Sequence, residues 1–217
     1  MTKLTLSFDN GPTPGVTERV LDALASRGIK ASFFVVGDRL AEPGAIEIAA
    51  EAHAQGHWIG NHTMRHGPPL GDWSDHEASV DEIASAQAAL GTLAHPRRFF
   101  RPNGRGEVGP HLLNAPVVDY LVAHRYTVVL WSVYVRDSKE PLDWAQRALD
   151  TIGRRAWDVL VLHDVLNGGM DSLPMFLDSI LDRDITIEQD FPDYLVPIDR
   201  GAITDAAATI LPQGVAL

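Results

Sequence analysis

Short apolar runs alternate with amphipathic stretches along the whole chain, and this alternation constrains the fold more than any other feature of the sequence. Candidate strands start near residues 4, 31, 58, 97, 126, 158 and 185, and helical patterns separate most of them. The steps are about 27 to 32 residues, with one longer step, which is typical of strand–helix units joined by crossovers. The sequence therefore predicts an α/β fold with seven strands, arranged as an open sheet or a closed barrel.

Composition sets the class of protein. The chain has 217 residues, of which 45% are apolar, and this predicts one globular domain over residues 1–217. No apolar run is long enough to cross a bilayer, and no secretion signal is recognisable, so we expect a cytoplasmic protein. The net charge of −11 is spread as mixed pairs, which argues against a nucleic-acid partner. Cysteine is absent, so any metal ligands are imidazoles, carboxylates or amides.

The first strand ends in a polar turn. Leu4, Leu6 and Phe8 alternate with polar residues, which predicts a half-buried strand. The strand stops at an Asn-Gly-Pro turn, so Asp9 and Asn10 lie where a strand opens into a loop. Turn chemistry alone also explains these residues, because Asx side chains bond their own backbone.

Four other strands deliver ionisable residues at the same end. His62 and His66 follow the third strand, Arg101 the fourth, Asp137 the fifth, and His163 closes the sixth. Because the carboxyl ends of parallel strands share one rim, we expect these side chains to meet in an active site. A partly buried arginine needs a carboxylate, and either Asp137 or the aspartate of the first strand is a candidate partner for Arg101.

The histidines are ambiguous when taken one at a time. His62 and His66 are spaced i, i+4, which would place both imidazoles on one face of a helical turn and suits a zinc-like ion, although nine histidines make such a pair unsurprising by chance. His163 is a candidate proton donor because imidazole changes charge near neutral pH. A core histidine bonded to a neighbouring carbonyl is the alternative.

Five motifs in order resemble those of the NodB-homology polysaccharide deacetylases, carbohydrate esterase family four. Residues 7–12 resemble the motif T-F-D-D-G-P, and residues 62–66 fit H-[ST]-x-x-H. Residues 101–104 resemble R-P-P-Y-G, residues 131–138 fall where D-x-x-D-W is expected, and residues 160–163 match L-x-L-x-H. The resemblance covers residues 4–188 and implies a distorted, incomplete (β/α)7 barrel.

The resemblance also implies roles. Asp9 would be the general base, His163 the acid that protonates the leaving amine, and Arg101 would orient Asp9. His62 and His66 would bind a divalent metal ion, for which zinc is the first candidate and cobalt or nickel are alternatives. The implied activity is metal-assisted N-deacetylation of an acetamido sugar or related amide, with a small-molecule or oligosaccharide substrate.

Four positions depart from the family pattern. Asn10 stands where the family has a metal-binding aspartate, and a neutral amide oxygen is a poorer donor, so we expect weak metal binding or none. Tyr134 replaces the first aspartate of D-x-x-D-W, so we expect the histidine of the last motif to have a lower pKa than in family members that keep this aspartate. Ser138 replaces its tryptophan and removes a pocket wall, and Asn103 also differs, whereas Asp137 is retained.

Three functions remain open from the sequence. The first is the metal-assisted amide hydrolase. The second is a metal-independent hydrolase of a small cyclic amide or ureide, and the third is a catalytically impaired protein that binds a glycan or metabolite. The fold does not separate them, because function depends on the site.

Overall fold

One mixed β-sheet flanked by helices forms the computed structural model of the protein, which describes residues 2–211. The strands are β1 (Thr2–Asp9), β2 (Ser32–Val35), β3 (Trp58–Asn61), β4 (Phe99–Phe100), β5 (Thr127–Val128), β6 (Val133–Tyr134), β7 (Trp157–His163), β8 (Ile185–Glu188), β9 (Ile198–Asp199) and β10 (Ala202–Ile203). The helices are α1 (Thr17–Ala25), α2 (Ala45–Ala54), α3 (His76–Leu90), α4 (Ala115–Ala123), α5 (Trp144–Thr151) and α6 (Leu173–Leu181). A strand lies at each of the seven predicted starts, and the predicted α/β class is confirmed.

β1 is the central strand because it pairs with three others. Along one edge it runs parallel to β7, and this register sets Asp9 opposite His163. Along the other edge its last residues pair with β2 and its first residues with β8. The order β10-β9-β5-β4-β3-β2-β1-β7-β6 is an open path, so the sheet does not close on itself. The parallel strands β1, β3, β4 and β7 therefore direct their carboxyl ends to one rim.

Alternation along β1 sorts its side chains by face. Leu4, Leu6 and Phe8 pack into a core cluster that includes apolar residues of α1 and α6. The intervening residues, which end with Asp9, face the opposite side of the sheet. All residues from Leu4 to Asp9 are buried, so the prediction of a half-buried strand is wrong. The reason is that the polar face lies inside the barrel, where Ser7 Oγ donates to the carbonyl of Leu160 (2.9 Å).

The segment that begins near the predicted strand start at residue 126 forms two short strands instead of one, because it changes partners. The first part forms β5, which pairs with β4, and the last part forms β6, which pairs with β7. β5 and β6 do not pair with each other, so the sheet is open between them. Between them the Leu130 amide donates to the carbonyl of Leu195 (2.8 Å), and the Ser132 amide donates to that of Val159 (3.1 Å). The segment therefore crosses the opening instead of following one neighbour.

The segment from Phe191, which follows the last of the predicted strands, completes the sheet and the core. β9 pairs antiparallel with β5, and β10 folds back on β9. Phe191, Leu195 and Ile198 are buried in the second core cluster, beside α4 and the barrel interior. Among the helices of residues 2–211, none combines the length and apolar character needed to cross a bilayer.

Candidate active site

The strand ends of the rim surround one cavity of about 420 Å³. Of the seven residues predicted for the site, five line it: Asp9, Asn10, His62, His66 and His163. The other two, Arg101 and Asp137, are fully buried and lie behind this lining, each bonded to one of its members. The structure thus brings all seven together.

Arg101 lies at the centre of the buried polar face. It has no exposed surface, and its Nη1 donates to Asp9 Oδ1 (2.8 Å) and to Ser7 Oγ (2.7 Å). Its guanidinium lies 4.0 Å from the centre of the Phe34 ring, a cation–π contact. The sequence left two candidate carboxylate partners for Arg101, and the structure shows that Arg101 binds Asp9. Because Arg101 directly follows β4, this bond fixes the position of Asp9 relative to that strand.

His62 is oriented by a backbone bond. Its Nδ1 lies 2.7 Å from the carbonyl of Arg101, so this nitrogen carries the proton and Nε2 keeps its lone pair. His62 Nε2 is 3.6 Å from Asp9 Oδ2, and its ring centre is 5.0 Å from that of His66. The two imidazoles and the carboxylate thus lie side by side on one wall of the cavity.

The predicted helical turn at residues 62–66 is wrong. Thr63 and His66 have left-handed backbone conformations (φ 68° and 52°), so the segment is a tight loop. Glu82 of α3 holds it, because its buried Oε2 accepts the backbone amides of Met64 (3.1 Å) and Arg65 (2.9 Å). Sequence reasoning missed Glu82, since a glutamate within an amphipathic helix carries no signal of such a contact.

Both imidazoles on this wall are uncharged at neutral pH. Burial is the main cause, and it lowers the pKa of His62 and that of His66, the latter to about 3, despite the opposing charge of Asp9. Neutral imidazoles have a free lone pair, which is the form that binds metal ions.

Asn10 contributes a third candidate donor atom. Its backbone is left-handed (φ 76°), and its Oδ1 is buried and has no hydrogen-bond partner among residues 2–211. Within residues 2–211 no three His, Cys, Asp or Glu side chains are grouped to hold a metal ion. The amide oxygen of Asn10, which lines the same cavity as His62 and His66, is therefore the candidate for a third ligand. An orphaned oxygen beside two neutral imidazoles fits a divalent ion, held more weakly than by a carboxylate.

His163 has a carboxylate partner. Its Nδ1 lies 2.9 Å from Asp137 Oδ1, and its backbone amide donates to Asp137 Oδ2 (2.7 Å). Burial lowers the pKa of His163, but the bond and charge of Asp137, with Asp9 and Asp164, outweigh it and raise that pKa above its ordinary value. The pKa of His163 is thus raised although Tyr134 carries no charge, because Asp137 supplies the negative charge. That this pKa is lower than in family members with an aspartate at the position of Tyr134 stays a prediction.

Two of the unusual motif positions have structural partners. Asn103 Nδ2 donates to the carbonyl of Gly67 (2.5 Å), which ties the loop after β4 to the loop after β3. Tyr134 lies with its ring edge-on to His163, with centres 6.2 Å apart. Ser138 lines the cavity beside them. All three residues therefore help to shape the wall of the cavity.

Asp164 is a buried carboxyl group next to the site that the sequence did not single out. Thr17 Oγ1 donates to its Oδ2 (2.5 Å), whereas its Oδ1 is buried and bonds to none of the described residues. Burial raises the pKa of Asp164 to about 7. A Cβ at Gly11 would overlap this carboxyl group, so the turn after β1 packs directly on it.

Comparison with known proteins identifies the family. The family model described as "Polysaccharide deacetylase" matches residues 2–129. The chain belongs to this family. Among its relatives, a chitooligosaccharide deacetylase of Bradyrhizobium sp. (strain ANU 289) is 32% identical over 168 residues, 73% of this chain and 69% of that protein. A peptidoglycan-N-acetylglucosamine deacetylase of Bacillus cereus is 29% identical over 174 residues, 77% of this chain and 74% of that protein.

Solved structures show the fold of this polysaccharide deacetylase family member. The polysaccharide deacetylase Bc1974 of Bacillus cereus superposes with a TM-score of 0.75 at 21% identity, covering 92% of this chain and 97% of the other. A family 4 carbohydrate esterase of Streptomyces lividans superposes with a TM-score of 0.73 at 23% identity, covering 90% and 96%. The predicted distorted, incomplete barrel is thereby confirmed. Asp137 and His163 lie beyond the residues that the family model matches.

Proposed function

We propose that the protein hydrolyses C–N amide bonds and removes the acetyl group of an acetamido sugar with the help of a divalent metal. The observation that carries this proposal is the register of β1 and β7, which sets Asp9 and His163 side by side on one face of the sheet. Both line the cavity that also receives two neutral imidazoles. A base and an acid on adjacent strands, facing one cavity, form the pair that amide hydrolysis requires.

Asp9 is the proposed general base. Its Oδ1 is engaged by Arg101, whereas Oδ2 is directed towards His62 Nε2 at 3.6 Å and so faces the reacting centre. A carboxylate held by a buried guanidinium keeps its orientation, which places its free oxygen to take a proton from an attacking water.

His163 is the proposed general acid. Asp137 accepts from Nδ1, so Nε2 carries the transferable proton of the imidazolium and is the atom left to face the cavity. The raised pKa of His163 favours the protonated form near neutral pH. The proton would pass from Nε2 to the leaving nitrogen as the C–N bond breaks, which releases the amine.

His62, His66 and Asn10 would hold the metal. A divalent ion such as zinc supplies a Lewis acid that polarises the amide carbonyl and lowers the pKa of water. Around it, the bond of His62 to the Arg101 carbonyl fixes which imidazole nitrogen faces the ion. The neutral amide of Asn10 predicts weaker retention than an aspartate would give.

The relatives support the substrate class. Their names describe deacetylases of chitooligosaccharide and of peptidoglycan N-acetylglucosamine. The cavity, at about 420 Å³, lies within the range of small-ligand sites. We therefore propose an N-acetylated amino sugar, free or within an oligosaccharide, as the substrate.

A catalytically impaired binding protein is the second candidate, and Asn10 is the observation that favours it. Two imidazoles and one amide carry no charge that would retain a dication, and Asp9, the carboxylate beside them, is already paired with Arg101. In this case the cavity would bind a glycan without turnover.

Amine release from N-acetylated chitooligosaccharides, measured together with metal content, separates these functions. The wild-type protein, Asn10→Asp and Asp9→Asn are stripped with chelator and then titrated with zinc, cobalt or nickel. Turnover that requires added metal, rises in Asn10→Asp and is lost in Asp9→Asn supports the proposal. Glycan binding by the wild type with turnover only in Asn10→Asp supports the binding protein. Full wild-type turnover after chelation, on oligosaccharides or on a cyclic amide, contradicts metal assistance.

A further inference from the structure

A second charged site lies at the opposite end of the sheet from the active-site cavity. Four arginines, Arg97, Arg98, Arg125 and Arg200, line a groove of about 620 Å³. Two of them directly precede β4, one lies shortly before β5, and the last lies in the turn between β9 and β10. β4 and β5 begin at this end of the sheet, and β9, which is antiparallel to β5, ends there. The active-site rim lies at the carboxyl end of β4, and the groove shares no lining residue with the cavity, so the two sites are separate.

Three of these arginines occupy backbone positions that favour other residues. Arg98, Arg125 and Arg200 all have left-handed conformations, with φ of 47°, 58° and 48°. Arg125 follows the end of α4, where glycine is usual, and Arg200 starts a two-residue hairpin turn that continues with a left-handed Gly201. Asparagine or glycine suits such positions better than arginine. Backbone geometry therefore does not account for three guanidinium groups here.

The charges in the groove are only partly balanced. Arg97 is paired with Asp190 (2.9 Å) and Asp199 (3.1 Å). Within residues 2–211, Arg98, Arg125 and Arg200 take part in none of the ion pairs. All three are exposed, in a chain whose net charge is −11. The groove is thus a local positive patch on an acidic protein, and among these three guanidinium groups only that of Arg98 donates a side-chain hydrogen bond within residues 2–211.

We propose that this arginine groove binds a ligand that carries two or more linked phosphate groups. Guanidinium groups match phosphate oxygens in a bidentate geometry. Three of them come from three separate turns, so a ligand with several phosphates engages more of the groove than one phosphate does. Two contacts orient the Arg98 side chain in the groove. Its Nη1 donates to the carbonyl of His124 (3.0 Å), and its guanidinium lies 5.8 Å from the centre of the Tyr126 ring.

Calorimetric titration with sodium tripolyphosphate and with orthophosphate tests the proposal on the full chain. The variants are Arg98→Gly, Arg125→Gly, Arg200→Gly and the triple substitution, because glycine accepts the left-handed backbone and keeps the turns. Arg136→Gly is the matched control: Arg136 is also exposed and left-handed (φ 59°), but it lies outside the groove and pairs with Glu140. Thermal unfolding of every variant checks that the fold is retained.

We expect tripolyphosphate to bind more tightly than orthophosphate, with each groove substitution weakening it about tenfold, as for loss of one charge-assisted contact. The triple variant should lose binding, and Arg136→Gly should bind within about twofold of the wild type, as expected for an exposed charge outside the site. Long-chain polyphosphate and a nucleoside triphosphate distinguish a polymeric from a small-molecule source, and preference for either supports the proposal. Unchanged affinity in the triple variant, no binding by the wild type, or preference for an RNA oligonucleotide over tripolyphosphate overturns it.

Discussion

Removing the guanidinium of Arg101 should be among the most damaging substitutions in this protein. Its side chain has no exposed surface, and that of Asp9, its partner at 2.8 Å, is 5% exposed. Arg101→Met keeps much of the volume but leaves the Asp9 carboxylate and the Ser7 hydroxyl without their donor. Loss of one partner of a buried ion pair costs about 3–5 kcal/mol, because the other charge stays buried and unpaired.

The magnitude is large enough for a simple assay. In a chain of 217 residues, this loss should lower the midpoint of thermal unfolding by roughly 6–20 °C. Urea unfolding followed by tryptophan fluorescence gives the free energy of unfolding directly. If Arg101→Met does not fold, Arg101→Lys retains the charge without the planar fork and should lose less stability.

A double-mutant cycle isolates the cause. Asp9→Asn removes the orphaned charge, so the double variant Asp9→Asn/Arg101→Met should be more stable than the sum of the single effects predicts. Arg136→Met breaks the exposed pair with Glu140 and serves as the control, with an expected loss below about 1 kcal/mol. An Arg101→Met variant within about 1 kcal/mol of the wild type, or strictly additive effects, would refute the reasoning.

Three further substitutions test the groups around the cavity. Asp137→Asn should move the alkaline limb of the pH–rate profile to lower pH, because the carboxylate that raises the pKa of His163 is lost; an unmoved limb contradicts His163 as the acid. Asp164→Asn should stabilise the protein by up to about 4 kcal/mol at pH 8 and by much less at pH 5, as measured by urea unfolding. The pKa of Asp164 is raised from 3.8 to about 7, so the stability of the wild type falls as the pH rises between these values. Equal gains at both pH values would exclude this cause. Gly11→Ala should cost about 1–3 kcal/mol by overlap with Asp164, and Asp164→Ala should restore part of it; no rescue in the double variant argues against the overlap.

The placement of the site was predictable because it follows from the period of the strands. Parallel strands end at one rim, so two predicted strands that end in Asp9 and His163 predict a common location for these side chains. The register that makes them direct neighbours was not predictable, since it depends on how β1 and β7 pair. The roles of the site residues as base, acid and metal ligands came from the family resemblance and not from the strand pattern.

The local geometry of the site was not predictable, because tertiary contacts decide it. The i, i+4 spacing of His62 and His66 indicates a helical turn, but Glu82 binds the amides of the intervening residues and stabilises a loop instead. The pairing of His163 with Asp137 likewise depends on where β6 meets β7. In each case a buried carboxylate from a distant element determines the conformation, and a local sequence pattern contains no record of it.

The unusual Tyr134 is matched by a glycine in another loop. Gly106 has a φ of 94°, and a Cβ at this position would overlap the Tyr134 ring, so the tyrosine fits only because the loop after β4 carries no side chain there. The ring stands edge-on to His163, whereas Asp137 supplies the carboxylate that His163 requires. The substitution at position 134 therefore leaves the proposed acid its partner and alters the cavity wall instead. Its effect should thus be on the shape of the cavity, because the aromatic ring lines the wall next to His163.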